Sequence, residues 1–247
     1  MLKQFSNATV WYDQEDLVRR QAVVNTCVQV ITDTWSKLNR AIQFRQIETC
    51  ILTPADKLQS HIDTGFRMLG VQGLDANTRD VHGAKADRGF LRPETTAGSI
   101  DVFHQMFPNS SKGSSQRHKC LPFCLWQLGK SFREENNPDT MRATKLRLRE
   151  FYQLEFHLFA GDNTKCPFHE YGVEALTDYF GGFSEKVHPD MLPHYSESTY
   201  DWLVGVADRL EVAGCSKRTD WDHGIIFEVS IGIDRLCAMI KDQQLQL

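Results

Sequence analysis

Two short segments, 131–135 and 146–155, combine arginine, glutamate and phenylalanine at alternating positions. Side chains two residues apart in a β-strand lie on the same face of the sheet, so Arg133 and Glu135 would share a face of a first strand. A second strand would align Arg149, Phe151, Gln153 and Glu155. A sheet face with guanidinium groups, an aromatic ring and hydrogen-bond acceptors suits a nucleoside triphosphate beside a cationic group. The two segments therefore predict a nucleotide site.

The size and charge of the chain limit its class. Its 247 residues accommodate one large domain with a substantial core, and we expect a single domain over 1–247. The formal net charge is -4, which argues against nucleic-acid binding driven by a bulk basic field, although a local basic patch would suffice. The sequence shows neither a bilayer-spanning apolar run nor a signal peptide. A cytoplasmic protein that does not contact a membrane is expected.

The seven cysteines are odd in number and scattered. Two groups of cysteine and histidine occur close together in sequence, without a paired C-x-x-C: His118, Cys120 and Cys124, then Cys166 and His169. Reduced, structural thiols are therefore preferred over a zinc site.

The hydrophobic pattern indicates the elements that would position the polar residues. It predicts a long helix over 15–41, strands over 42–52, 210–215 and 225–230, a short helix over 171–179, a loop over 71–88, a strand followed by a helix within 90–107, and a last helix from Gly232. Strands outnumber what a βαβ alternation would supply, and most connections are typical of hairpins. The predicted fold class is α+β, an antiparallel β-sheet flanked by helices.

The pair of segments around 131–155 resembles the second signature motif of class II aminoacyl-tRNA synthetases, F-R-x-E, loop, R-x-F. Its second arm has the longer form R-E-F-x-x-x-E of the glycyl enzymes. Further segments follow in the family's order: 89–98 is similar to G-Y-L-R-P-E-T-A-Q-G, 211–222 to E-x-x-G-x-A-x-R-x-x-Y-D, and 227–235 to I-E-P-S-x-G-x-x-R. Residues 49–54 are similar to the first motif, which forms the dimer interface.

The resemblance implies a catalytic core that activates an amino acid with ATP and Mg²⁺ to the aminoacyl-adenylate. It assigns Arg133 to the α-phosphate and Arg235 to the γ-phosphate, with Phe151 stacked on adenine and Arg235 over its other face. It also places beside the nucleotide Glu135, Arg149, Glu211 and Gly232. The Mg²⁺ ligands that it implies are Glu211 and Glu228.

The amino acid implied by the resemblance is glycine, or another small amino acid. Glycine has no side chain, so a selective site must bind its ammonium group and leave no room for a Cβ. Several carboxylates that converge on one ammonium meet the first need. The resemblance places there Glu94, Glu155, Glu228 and Ser230, and it places Arg218 on the glycine carboxylate.

The chain departs from the family pattern in several places. The family's A-Q-G is Thr96-Ala97-Gly98, which lacks the glutamine, and E-P-S is Glu228-Val229-Ser230. The loop 136–145 is longer than is usual in the glycyl family, and the sequence stops after the last catalytic helix, where a full glycyl enzyme continues into an anticodon-binding domain. The expected acceptor is therefore the acceptor stem of a tRNA, a carrier protein, or another nucleic acid or amine.

Two further expectations concern partners. The helix from Glu15 and the strand that ends at Pro54 resemble the first motif, which predicts a homodimer. Basic residues that could contact an RNA acceptor end, or form a solvated loop face, are Arg142, Lys145, Lys112, Arg117, His118 and Lys119. A non-catalytic accessory subunit is the alternative function, but the retained arginines, phenylalanine and glutamates favour an enzyme.

Overall fold

A computed structural model describes residues 3–5, 9–54, 69–71, 89–108, 120–134, 146–181, 185–187, 192–204 and 210–241. Within these ranges the helices are α1 (Gln14–Leu38), α2 (Thr96–Met106), α3 (Phe168–Phe180) and α4 (Ile233–Lys241). The strands are β1 (Lys3–Phe5), β2 (Thr9–Trp11), β3 (Gln43–Gln46), β4 (Leu52–Pro54), β5 (Gly70–Val71), β6 (Gly89–Leu91), β7 (Phe123–Phe132), β8 (Glu150–Ala160), β9 (Glu185–Val187), β10 (Ser196–Val204), β11 (Leu210–Arg218) and β12 (Ile225–Gly232).

A central sheet orders its described strands β3-β7-β8-β12-β11-β10-β9. All neighbouring pairs are antiparallel except β3 and β7, which are parallel. Separate small sheets contain β1 and β2, and β4, β6 and β5. The predicted α+β fold, an antiparallel sheet flanked by helices, is confirmed.

One face of the central sheet packs against α1, α3 and α4. The buried positions of α1 recur every three or four residues and form one apolar stripe, which ends at Trp35. Trp35 is fully buried, and its Nε1 donates a hydrogen bond to the carbonyl of Phe168 at 2.6 Å. The alternate residues of β8, Leu154, Phe156 and Leu158, face this core.

The opposite face holds α2 over a second, smaller core. Phe103 of α2 stacks on Phe159 of β8, with ring centroids 4.1 Å apart, and Trp221 packs edge-on against both rings. Because Phe159 has the same strand parity as Glu155 and His157, this face also presents the polar residues of β8. The predicted site residues of β8 therefore lie on the α2 side of the sheet.

The predicted elements agree with the structure in part. The helix predicted over 15–41 is α1, the predicted last helix is α4, and the strand and helix predicted within 90–107 are β6 and α2. The strand predicted over 42–52 is wrong as one element, because β3 and β4 belong to different sheets. Strand β10 was not predicted; it is rich in serine and polar residues, and its pairing with β11 contains register shifts that interrupt its alternation. Most of the loop predicted over 71–88 lies outside the described residues.

Candidate active site

Four strands of the central sheet contribute polar or small residues to a common face. Their register places Glu155 opposite Ser230, Ser230 opposite Gly214, and Gly214 opposite Asp201. The adjacent row, in the same strand order, is His157, Glu228, Ser216 and Thr199. Two small residues thus separate the carboxylates of Glu155 and Asp201, and a cavity of about 280 Å³ lies over them.

Three buried glutamates line one end of this cavity: Glu94, Glu155 and Glu228. Glu155 Oε2 accepts hydrogen bonds from the backbone N–H of Thr95, at 3.0 Å, and from the Thr95 hydroxyl. Glu155 Oε1 accepts from the Ser230 hydroxyl at 3.3 Å. The first residues of α2 and the middle of β12 therefore hold Glu155, and the predicted group of Glu94, Glu155, Glu228 and Ser230 is brought together.

Glu94 and Glu228 ionise differently although both are buried. The pKa of Glu94 is raised to about 8. Burial is the largest cause, and the nearby Glu228 and Glu155 act in the same direction, whereas Arg218 opposes the rise. Burial would also raise the pKa of Glu228, but Arg218 and the hydrogen bonds from His157 and Thr96 outweigh it and lower that pKa to about 2. Among the described residues, Glu94 Oε1 has no hydrogen-bond partner. At neutral pH the cluster therefore contains a neutral acid beside an ionised one.

Arg218 lies behind Glu228 and, within the described part of the chain, is not among the residues that line the cavity. It is fully buried, and its Nε and Nη2 donate to the two carboxylate oxygens of Asp220 at 3.1 and 2.9 Å. Its Nη1 donates to Glu228 Oε2 at 2.8 Å, and its guanidinium carbon lies 3.7 Å from the ring centroid of Tyr195. These contacts fix Glu228 in place, and the contact between Arg218 and a glycine carboxylate stays a prediction.

The same cavity is also lined by residues that are expected to bind ATP. Arg133, Phe151, Glu211, Gly232 and Arg235 all line it. The guanidinium carbon of Arg133 lies 5.1 Å from the Phe151 ring centroid, and Arg133 Nε donates to the carbonyl of Pro93 at 3.3 Å. Arg235 Nη1 donates to the carbonyl of Glu211 at 2.7 Å and lies 3.6 Å from its carboxylate. Two arginines and a half-buried aromatic ring are thus presented to one space.

Other predicted residues have different positions. Glu135 lies outside the described residues, as do the loop 136–145 and the basic residues at 112–119. Arg149 is described but is not a lining residue among those described, and its backbone carbonyl accepts a hydrogen bond from the Arg133 N–H at 3.0 Å. Its predicted contact with the nucleotide stays a prediction.

The predicted magnesium ligands, Glu211 and Glu228, differ in availability. The carboxylate of Glu211 is half exposed, and Glu211 lies on β11, which pairs with β10, the strand that carries Asp201. The carboxylate oxygens of Glu211 and Asp201 suit a hard cation that also binds phosphate. Glu228 Oε2 is engaged by Arg218 and Thr96. Among the described residues no group of three histidine, cysteine or acidic side chains is close enough to hold a metal by itself. Any cation there would depend on the phosphates of its ligand.

The sequence pattern did not predict several residues that line the cavity or lie beside its carboxylates. Asp201 lines the cavity, and its pKa is raised to about 7 by burial and by Glu211, against the effect of Arg235. It was missed because β10 was not predicted. His157 lies two positions after Glu155 in the same strand, so strand alternation alone would have placed it on the site face. Asp234 also lines the cavity, and burial raises its pKa to about 7.

The chain is similar in sequence to known proteins over about half of its length. No family model matches the chain. It is similar to "Glycine--tRNA ligase" of Deinococcus radiodurans, 32% identical over 146 residues that cover 55% of this chain and 27% of that protein. It is also similar to the protein of that name from Thermus thermophilus, 32% identical over 149 residues, 57% of this chain and 28% of that protein. The chain thus spans less than a third of the length of these curated relatives.

Solved structures show the same fold at low sequence identity. A Giardia lamblia prolyl-tRNA synthetase in complex with prolyl-adenylate superposes with a TM-score of 0.68 at 17% identity, covering 94% of this chain and 48% of that one. The cytoplasmic serine-tRNA ligase of Naegleria fowleri in complex with AMP has a TM-score of 0.65 at 13% identity, covering 95% of this chain and 56% of that one.

None of the described helices of our chain has the length and apolar composition needed to span a membrane.

Proposed function

We propose that this chain, a class II aminoacyl-tRNA synthetase catalytic core similar in sequence to glycine–tRNA ligases, activates glycine with ATP and passes it to an acceptor. The observation that supports glycine most is the group of three buried carboxyl groups that line the cavity, one of which, Glu94, has an oxygen without a hydrogen-bond partner among the described residues. An ammonium group would supply up to three N–H donors to these acceptors. Glu94 would lose its proton as the ammonium binds.

Adenylate formation requires alignment and charge neutralisation more than acid–base chemistry. A glycine carboxylate oxygen attacks the α-phosphorus of ATP, a bond forms between them, and the bond from the α-phosphorus to the bridging oxygen breaks to release pyrophosphate. Arg133 would neutralise the α-phosphate and Arg235 the γ-phosphate. Phe151 would stack on adenine, with Arg235 over its other face. Mg²⁺ would neutralise phosphate charge, held by Glu211 with a lesser contribution from Glu228.

Arg218 supports the amino-acid end in one of two ways. Its contacts with Asp220 and Glu228 favour a role through Glu228, whose carboxylate it holds. Direct binding of the glycine carboxylate would require Arg218 to exchange one of these partners. Both roles predict that the Arg218→Ala variant loses glycine affinity.

For the acceptor, the similarity to glycine–tRNA ligases favours a tRNA 3′ end, and the catalytic core would contact the acceptor stem. A carrier protein or a modified nucleic acid is the alternative acceptor.

The test is ATP–pyrophosphate exchange with each of the twenty amino acids, followed by an acceptor screen with whole tRNA, an acceptor minihelix or no RNA. Glycine should support exchange, and alanine far less. Equal exchange with glycine, alanine and serine would refute the specificity, and the residues Thr96-Ala97 make this comparison necessary. No exchange with any amino acid would refute the activity and favour a binding subunit.

A further inference from the structure

We propose that His157 and Thr96 form a positioning pair that fixes Glu228 so that one of its oxygens remains available to the amino acid. The inference rests on the proposed function, because it assigns the amino-acid end of the cavity a hydrogen-bond relay. Neither residue is among the described cavity-lining residues, so both would act through Glu228. They would determine the affinity for the ammonium group rather than contact it.

The relay is formed by three elements. His157 on β8 is fully buried and lies opposite Glu228 on β12 in the sheet register. Its Nε2 lies 3.1 Å from Thr96 Oγ1, at the first residue of α2, and 3.4 Å from Glu228 Oε2. Thr96 Oγ1 in turn lies 2.9 Å from Glu228 Oε2. The atoms form a closed triangle between a helix N-terminus and two paired strands.

The chemistry of the three groups fixes the direction of each hydrogen bond. An ionised carboxylate can only accept, so the Thr96 hydroxyl must donate to Glu228. The Thr96 oxygen can then accept from His157, which requires the proton on Nε2. His157 Nδ1 is buried and has no hydrogen-bond partner among the described residues, so a neutral ring with the proton on Nε2 leaves only a weak acceptor without a partner. The geometry therefore places a proton on His157 Nε2.

Only one of the two carboxylate oxygens of Glu228 is bound by the surrounding side chains that the structure describes. Arg218, Thr96 and His157 all approach Oε2 of Glu228. Its Oε1 is therefore the oxygen that remains for an ammonium group at the cavity. Without His157, the Thr96 oxygen would keep only the long hydrogen bond from Arg218 Nη1, at 3.5 Å, and the Glu228 carboxylate would be held less firmly against rotation about its terminal bond. The affinity of the protein for the amino acid would fall, while its affinity for ATP would be unaffected.

Charged and titratable groups lie close to His157 on the neighbouring elements. Glu155 Oε2 lies 3.8 Å from Nε2, and Glu228 lies on the neighbouring strand. Arg218 contacts the same Glu228 oxygen as Thr96 and His157, and Glu94 lies 3.6 Å from Arg218. The buried site thus already contains one cation for the ionised Glu228.

The decisive variants are His157→Gln and His157→Asn. A glutamine amide can place an N–H near the position of Nε2, whereas the shorter asparagine amide cannot reach it. In pyrophosphate exchange, His157→Asn should raise the KM for glycine by about tenfold to a hundredfold, the usual range for a lost hydrogen bond to a charged group, while the KM for ATP stays within about twofold. His157→Gln should restore the KM for glycine to within about threefold of wild type.

A second pair and a matched control complete the test. Thr96→Ser should resemble wild type, whereas Thr96→Val should raise the KM for glycine, and this pair decides the matter if both His157 variants fail to fold. The control is His169→Gln, which replaces another buried histidine, one that stacks on Phe227 and lies 3.3 Å from the Ser198 hydroxyl. It should change stability without changing the KM for glycine. Equal KM values for asparagine and glutamine variants, or for Thr96→Val and Thr96→Ser, would overturn the inference.

A measurement without any ligand separates this inference from the proposed function. Nitrogen-15 NMR of histidine-labelled protein should show a proton on His157 Nε2, and this assignment should persist in the Thr96→Ser variant. A proton on Nδ1 alone, in wild type, would overturn the positioning role even if glycine is activated. If the Nε2–H tautomer is found but no amino acid supports exchange, the proposed function fails while the relay stands.

Discussion

Glu94 and Glu228 lie in one buried cluster, and their different surroundings separate their charge states. Glu228 has a direct donor from Arg218 at 2.8 Å, whereas Glu94 Oε1 lies 3.6 Å from the same nitrogen and has no hydrogen-bond partner among the described residues. A difference in pKa between two acids of one site is the usual sign of different roles. Here the difference predicts that Glu94 loses its proton when an ammonium ligand binds beside it.

The raised pKa of Glu94, about 8, gives a pH-dependent stability. Between its unfolded pKa, near 4.5, and about 8, the folded protein holds a proton that the unfolded chain has lost, so the free energy of unfolding falls as pH rises. The Glu94→Gln variant cannot titrate there. Urea denaturation from pH 5.5 to 8.5 should show wild type losing stability relative to Glu94→Gln, by at most about 1.4 kcal/mol per pH unit. Parallel profiles for the two proteins would contradict the assignment.

The two cavity arginines should be required for chemistry and not for folding. Arg133→Ala and Arg235→Ala each remove positive charge from a phosphate in the transition state, a loss of about 3–4 kcal/mol at comparable electrostatic sites, which is about two to three orders of magnitude in rate. Exchange kinetics would measure this, and Phe151→Ala should mainly raise the KM for ATP. Arg45→Ala, an exposed arginine of β3, is the matched control. Near-wild-type exchange in Arg133→Ala or Arg235→Ala would place the ATP site elsewhere.

At the scale of elements, the start of α2 is fixed by a close approach to the chain before β4. A Cβ on Gly98 would lie 2.7 Å from both Cβ and Oγ1 of Thr49. Thr49 cannot move freely, because its Oγ1 receives a hydrogen bond from Arg92 and donates one to Gln127. Both partners are buried, and Gln127 also donates to the Ser99 hydroxyl of α2. The helix that presents Thr95 and Thr96 is therefore held at a distance that only glycine permits.

Gly98→Ala should accordingly destabilise the protein. Alanine is favoured over glycine in a helix by about 1 kcal/mol, but overpacking a buried contact typically costs about 1–3 kcal/mol. We expect a net loss of up to about 2 kcal/mol in urea denaturation, with a weaker affinity for glycine. Gly161→Ala is the control, because a Cβ there has no atom within 4 Å and no unusual backbone angle. Equal stability of both variants would contradict the close approach.

Elements with a regular apolar period could be predicted from the sequence, and others could not. The four-residue spacing of Val23, Cys27, Ile31 and Trp35 defines α1 without any tertiary information. Strand β10 follows prolines and contains serines, and its pairing with β11 shifts register, so no local pattern announces it. As a result Asp201 was missed. The pairing of Arg218 with Asp220 and Glu228 likewise depends on how a strand and its following turn meet β12, which spacing in the sequence does not specify.

At the scale of the whole molecule, we predict a homodimer. Large apolar side chains are exposed on α1, where Val18 is 62% exposed, and near β4, where Leu52 is 51% exposed. These two segments are the ones that resemble the dimer-forming first motif. Burying such groups in a symmetric interface would stabilise the assembly. Light scattering at micromolar concentration should give twice the monomer mass, and a monomer mass that persists with ATP and glycine would contradict the prediction.

The central claim is that one cavity joins glycine to AMP. The direct measurement is a single-turnover reaction in which an excess of the protein is mixed with glycine and ATP labelled at the α-phosphate, and the products are separated by thin-layer chromatography. A labelled glycyl-adenylate should form with glycine, form far less with alanine, and be absent in Arg133→Ala. Labelled ATP that remains unchanged with every amino acid, in protein shown to be folded, would contradict it.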